Sequence, residues 1–200
     1  MTKPAPQRLI VGISGASGVI YGVRLLEALR GAAVETHLVM SKPAEMALAY
    51  ETDLKPKDIR KLATTTYAVG DVGAAISSGS FQTMGMIILP CSIKTMSEIA
   101  TGVTGTLLSR AADVCLKERR RLVVAIRETP LHAGHLRNLT ALSELGAIVA
   151  PLVPAFYTRP KTIDDIVNHS VGRLLDLFGI ETDLVKRWRS SETKGSLADE

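Results

Sequence analysis

Short, unbroken apolar runs alternate along the chain with longer stretches in which apolar residues recur every three or four positions. The runs at 9–13, 36–39, 86–89, 122–126 and 147–149 are aliphatic or β-branched and bounded by turn residues, which predicts buried β-strands. The stretches at 19–30, 44–50, 95–100, 107–118, 131–145 and 163–178 carry the helical period. Strands that are apolar on both faces must be covered on both sides. The alternation therefore predicts an α/β chain of three layers, a mainly parallel sheet with helices on both faces.

In an open sheet of this kind, ligands bind beyond the carboxyl ends of the strands. The segments after the predicted strands are "SGASG", "MSKPAE", "PCSIKT", "RETPLHAGH" and "PLVPAFYTRP". Most lead into a helix whose first amides lack intrahelical partners, and their Ser, Thr, Lys and Arg suit an anion placed there. In the first, within "RLIVGISGASGVIYGVRLLEAL", Gly12, Gly15 and Gly18 fall three apart. That spacing fits neither the dinucleotide fingerprint nor the phosphate loop of nucleotide hydrolases. A tight strand-to-helix turn explains the glycines, but not the hydroxyls of Ser14 and Ser17, which favour a bound anion. At the end of the second strand stand Ser41 and Lys42, where an NAD site would offer Asp or Glu to the ribose. NAD is therefore not expected.

Composition narrows the field further. The 200 residues, 46% hydrophobic and 22% charged, suffice for one globular core. One domain is expected over 1–188, with a polar tail at 189–200. A net charge of +4 and a pI near 9.2 are compatible with anionic ligands, whereas 4% aromatics leave little surface for stacking bases, so nucleic acid is not expected. No apolar run is long enough to span a bilayer. Cys91 and Cys115 form no C-x-x-C pair, and the sequence opens without a signal-like segment, so reduced thiols and a cytoplasmic location are expected. Cys91 has no neighbouring His to mark it as a nucleophile. His132 and His135 would share a helix face, but a third ligand is not evident, and no metal is expected.

The segments "GISGASGVIYGVRLLEAL", "HLVMSK", "ETD", "SSGSF", "ILPCSIKTMSEIA", "RAADVCLKERR", "RETPLHAGHL" and "VPAFYTRPKTIDDIV" occur in this order. Together they resemble the flavin prenyltransferases of the UbiX/Pad type from about Arg8 to Trp188. The resemblance implies a three-layer Rossmann-like (flavoprotein) fold, FMN as the bound flavin, and a homododecamer with sites at subunit contacts. It also implies the reaction: the dimethylallyl group of dimethylallyl monophosphate is joined to N5 and C6 of reduced FMN. The product, prenylated FMN, would go to a UbiD-type decarboxylase of ubiquinone biosynthesis or aromatic acid decarboxylation.

By the same resemblance, Gly15, Ala16 and Ser17 hold the FMN phosphate region together with Ser41, while Ser92, Ile93, Lys94, Thr95 and Arg127 complete the flavin site. Lys117, Tyr157 and Arg173 clamp the prenyl phosphate, to which Arg and Lys give charge-assisted bonds. Trp188 shields the allylic cation. Glu128 transfers a proton during ring closure, Ser17 steers protonation near N5, and Glu51 lines the site. Read from the residues alone, Ser92 and Thr95 could instead cap a helix, Lys94 could be a solvated lysine, and Glu128 could pair with arginine neighbours. "LKERRR" reads equally as a cationic helix end, and Trp188 as an anchor for the tail. Two rival functions share the expected architecture: an FMN-dependent cysteine decarboxylase, whose "PASANT"-like loop is here "PCSIKT", and a non-catalytic flavin carrier.

Overall fold

From the amino end the elements are β1 (Gln7–Ile13), α1 (Val19–Leu29), β2 (Val34–Met40), α2 (Lys42–Glu51), α3 (Pro56–Arg60), β3 (Thr65–Tyr67), β4 (Gly85–Cys91), α4 (Ile93–Ala100), α5 (Leu107–Lys117), β5 (Arg121–Ile126), α6 (Ala133–Glu144), β6 (Ile148–Val149) and α7 (Ile163–Asp176). They belong to a computed structural model that describes residues 6–185 and 187. The chain divides into two compact units, Met1–Leu152 and Val153–Glu200, with the whole sheet in the first and α7 in the second.

The strands pair in the order β3-β2-β1-β4-β5-β6, and every pairing is parallel. This is the Rossmann order, and its winding reverses between β1 and β4, the point at which sheets of this order form a ligand crevice beyond their carboxyl edge. β1 and β2 pair from Gln7↔Val34 to Ile13↔Met40, so the loops that follow them start level.

Alternate residues of the central strands are buried on opposite faces. On one face Ile10, Met86, Ile88, Leu122 and Val124 form a single core with Met96 and Ile99 of α4, Leu108 and Cys115 of α5, and Leu142 of α6. The intervening residues Leu9, Val11, Ile13, Ile87, Leu89 and Val123 are buried as well. Their side of the sheet is where α1 settles against β1 and β4, burying Val19, Val23 and Leu26. Gly22 permits that approach, since a Cβ there would stand 2.5 Å from Leu89 O.

The pattern of apolar runs located five of the strands to within a few residues but not β3, whose three residues are only partly covered and pair with β2 alone at the sheet edge. It also missed α3, a five-residue helix. Several ends moved to where a cap stops or starts the helix. α2 begins at Lys42 because Ser41 Oγ accepts from Ala44 N, and α6 begins at Ala133 because His132 Nδ1 accepts from Gly134 N. In the second unit α7 opens with a reciprocal cap between Thr162 and Asp165 and buries Val167, His169, Val171, Leu174 and Leu175.

Candidate active site

Four loops meet at the switch point, and backbone hydrogen bonds hold them together. Ser14 N donates to Pro90 O at 3.1 Å, Ser41 N to Ile13 O at 3.0 Å, and Arg127 N to Cys91 O at 3.2 Å. The segments after β1, β2, β4 and β5 are thus drawn to one edge. Gly15 sits against Pro43, where a Cβ would collide with the proline ring, so glycine is needed for the β1 loop to lie on the start of α2. Ala16 is buried and Ser17 exposed.

The hydroxyl of Ser14 corrects a reading made from sequence. It is not presented to a ligand: the residue is fully buried, its Oγ donating to Pro90 O at 3.1 Å and accepting from Ser92 N at 2.7 Å. The amides of Gly18 and Val19 both donate to Glu51 Oε2, at 2.8 and 3.0 Å. A carboxylate brought from the end of α2 therefore occupies the positive end of α1 that an anionic ligand would use.

Ser41 and Ser92 cap α2 and α4, accepting from Ala44 N at 3.2 Å and Thr95 N at 3.3 Å. Ser92 Oγ also lies 3.2 Å from Thr95 Oγ1. The capping role that competed for these hydroxyls is thus real, and it fixes where they stand at the mouth of the crevice. Ile93 is partly covered and opens α4. Lys94 is 71% exposed and pairs with Glu98 across one turn at 2.6 Å, as a surface lysine does. Arg127 differs from all of these: its Nε is buried without a hydrogen-bond partner. A buried guanidinium donor left unmatched is costly, and the site beside Cys91 and Ser92 that it shares is one where a bound acceptor would satisfy it. Glu128 is exposed, its Oε1 accepting from Thr129 N at 3.0 Å.

Lys117 does not join these residues within one chain. It ends α5 at the amino edge of the sheet, where Arg121 stands in register with Gly85, the first residue of β4. Its Nζ pairs with Glu118, and nearby Arg120 Nη1 donates to Phe81 O at 2.7 Å. β4 is seven residues long, so roughly 20 Å of strand separates this edge from the crevice.

In the second unit, Tyr157 Oη lies 3.1 Å from His169 Nε2. Arg173 Nη1 donates to Asp176 Oδ2 at 2.6 Å, and Arg187 grips the same carboxylate with bonds of 3.0 and 3.2 Å. The hydrogen bonds from Arg187, then Arg173, with both positive charges, hold the Asp176 carboxyl below its ordinary range against the opposing effect of burial. Trp188 lies outside the described residues. His132 and His135 stack with ring centroids 3.5 Å apart, and His132 serves as the α6 cap. Burial pushes the thiols of Cys91 and Cys115 up to about 12, which keeps both protonated at neutral pH.

Comparison with known proteins gives this edge its context. The Flavoprotein family model matches residues 2–175. The chain is 56% identical to flavin prenyltransferase UbiX of Thauera aromatica over 187 residues, 94% of this chain and 96% of that one. The chain belongs to the flavin prenyltransferase family. Two crystal structures superpose closely on it. AnUbiX (PadA1) in complex with FMN and dimethylallyl pyrophosphate has a TM-score of 0.91 and 49% identity, over 92% of this chain and 98% of that one. The dodecameric FMN-dependent UbiX-like decarboxylase of Escherichia coli O157:H7 has a TM-score of 0.90 and 50% identity, over 92% and 100%. The cysteine decarboxylase SpaF, at 18% identity and a TM-score of 0.60, shares the fold alone. Neither the Glu51 cap nor the Ser14 bridge is legible in the sequence of this flavin prenyltransferase family member, because each joins residues far apart in the chain.

Proposed function

We propose that this chain binds FMN in the crevice between the β1, β4 and β5 loops and transfers a dimethylallyl group from dimethylallyl monophosphate to the reduced flavin. The observation that carries the reading is the buried, unmatched Arg127 Nε beside the Ser92 cap, in a chain whose flavin-bound relative shares its fold almost throughout. Gly15, Ala16, Ser17 and Ser41 would hold the phosphate region of FMN, and Ser92, Ile93, Lys94, Thr95 and Arg127 the remainder. Because Glu51 occupies the α1 amides, the phosphate would rely more on the neighbouring loops than on that helix end. Bound reduced FMN supplies two nucleophilic positions, N5 and C6.

The chain's own residues do the rest. Tyr157, Arg173 and Lys117 would neutralise the phosphate as the allylic C–O bond breaks, Trp188 would screen the allylic carbon from water, and Ser17 would direct a hydroxyl toward N5. Glu128 would accept the proton that C6 loses when the second bond forms, so that prenyl donor and reduced FMN give prenylated FMN and phosphate. Glu51, through its grip on α1, would keep the Ser17 loop in place. The position of Lys117 at the far edge supports a site completed by a neighbouring copy in a homo-oligomer, by analogy with the dodecameric relative. The chain would work in the cytoplasm and pass its product to a UbiD-type decarboxylase. Among the described residues no helix is long and apolar enough to cross a membrane.

Incubation with reduced FMN and dimethylallyl monophosphate, followed by mass spectrometry of the flavin, tests the proposal. A flavin heavier by one dimethylallyl group is expected. Unchanged flavin with the monophosphate, but prenylated flavin with the pyrophosphate, would revise the donor, and unchanged flavin with both would overturn the function. A carrier would bind FMN and leave it unmodified.

A further inference from the structure

Tyr157 stands on a single 3-10 turn, Phe156–Thr158, and is 49% exposed. A phenol on so short a turn has little in its own backbone to fix its direction. His169 supplies what the turn lacks. It is 9% exposed on the buried side of α7, and its ring meets the Tyr157 ring edge to face with centroids 5.6 Å apart. Its Nε2 lies 3.1 Å from the phenol oxygen. His169 also stands one helical turn before Arg173, so the two are neighbours on α7.

We propose that His169 is a positioning residue for prenyl transfer, holding the Tyr157 hydroxyl toward the phosphate of the donor and beside Arg173. The inference rests on the reading of Tyr157 as a phosphate ligand given above. The ring would carry its proton on Nε2 and donate to Oη, so that the phenol proton is directed at the phosphate. Burial, and after it the charge of Arg173, lower the basicity of His169 while Asp176 raises it. The ring is therefore neutral at neutral pH and adds no charge of its own. Of the other ionisable groups nearby, Asp165 and Asp183 line the same cavity of about 160 Å3 as His169.

The test is calorimetric titration of dimethylallyl monophosphate into the assembled protein loaded with oxidised FMN, where no turnover intervenes. His169→Leu is expected to weaken donor binding about tenfold, a loss of the order expected when a phosphate-directed hydrogen bond loses its orientation. His169→Gln, whose amide can still donate, is expected to stay within about threefold of the parent. Tyr157→Phe and the double variant Tyr157→Phe/His169→Leu are expected to bind alike, because a residue acting through Tyr157 has no further effect once the hydroxyl is gone. FMN affinity should be unchanged in all of them. Should His169→Leu not fold, His169→Phe keeps a ring without Nε2 and is read in its place. Parent-like binding in the His169 variant alongside weak binding in Tyr157→Phe would overturn the inference and leave the Tyr157 reading intact. Additive losses would also overturn it, by showing that His169 acts independently of the phenol. Parent-like binding in Tyr157→Phe would remove the reading on which it rests.

Discussion

Ser14 and Ser17 lie three residues apart in one loop, yet they stand in opposite environments. Ser14 Oγ is the acceptor for Ser92 N, so Ser14→Ala strands a partly buried amide and should destabilise the fold by about 1–3 kcal/mol. Because that amide precedes α4, FMN affinity should fall with stability. Ser17 is exposed, and Ser17→Ala should change stability by less than about 0.5 kcal/mol. Urea denaturation and flavin fluorescence on both variants separate a bridging serine from a site-facing one. Glu128 poses the complementary case: Glu128→Gln preserves size and hydrogen bonding but removes the proposed proton acceptor. It is expected to bind FMN and dimethylallyl monophosphate normally while forming prenylated flavin at least about 100-fold more slowly, measured in single-turnover mixing. The sequence made the strand-end positions visible because apolar runs stop there. It could not reveal that Ser14 faces Ser92, 78 residues away, or that Arg127 Nε would be buried without a partner, since both depend on how loops meet in space.

At the scale of elements, caps matter more than propensity. α1 starts at Val19 behind Gly18 in the left-handed region at φ 90°, and Gly18 offers no side chain to cap it. Glu51 does this from the end of α2, with a charge that suits the positive helix end. Glu51→Ala should therefore cost about 1–2 kcal/mol in urea denaturation, and Glu51→Gln about half of that, because the amide keeps an acceptor but loses the charge. α7 ends in a second charged arrangement. The folded Asp176 carboxyl titrates below the ordinary value of about 3.9, so its contribution is fully present above that pH and is lost as pH falls through the lower, folded value. Tm measured between about pH 5 and 2 should drop more steeply for the parent than for Asp176→Asn, which has no such proton to gain. A parallel drop in both would assign the acid sensitivity elsewhere. The same physics explains what the apolar pattern captured. Central strands such as β1 and β4 must be apolar on both faces, and that requirement is written in consecutive residues. β3 lies at the sheet edge with partial cover, and its Thr-rich segment had no such requirement to display.

Across the whole molecule, Lys117 raises a question that one chain cannot answer. Its α5 runs back across the sheet, leaving the lysine at the amino edge, about 20 Å from the crevice that holds Arg127. No rotamer of a lysine side chain spans that distance, so a shared role in one reaction requires two copies: the Lys117 of one chain beside the crevice of another. The requirement makes a sharp prediction about mixed assemblies. Lys117→Ala and Arg127→Ala should each be nearly inactive when pure. When the two are dissociated, mixed in equal amounts and reassembled, some sites receive an intact lysine from the Arg127→Ala chain and an intact arginine from the Lys117→Ala chain. If partners are chosen at random, about a quarter of the sites are whole, and prenylation should recover to about a quarter of the parent rate. The recovered activity should have the parent's KM, because each restored site is complete rather than partly repaired. If Lys117 served only the chain that carries it, every site in the mixture would lack one residue or the other, and reassembly would restore nothing.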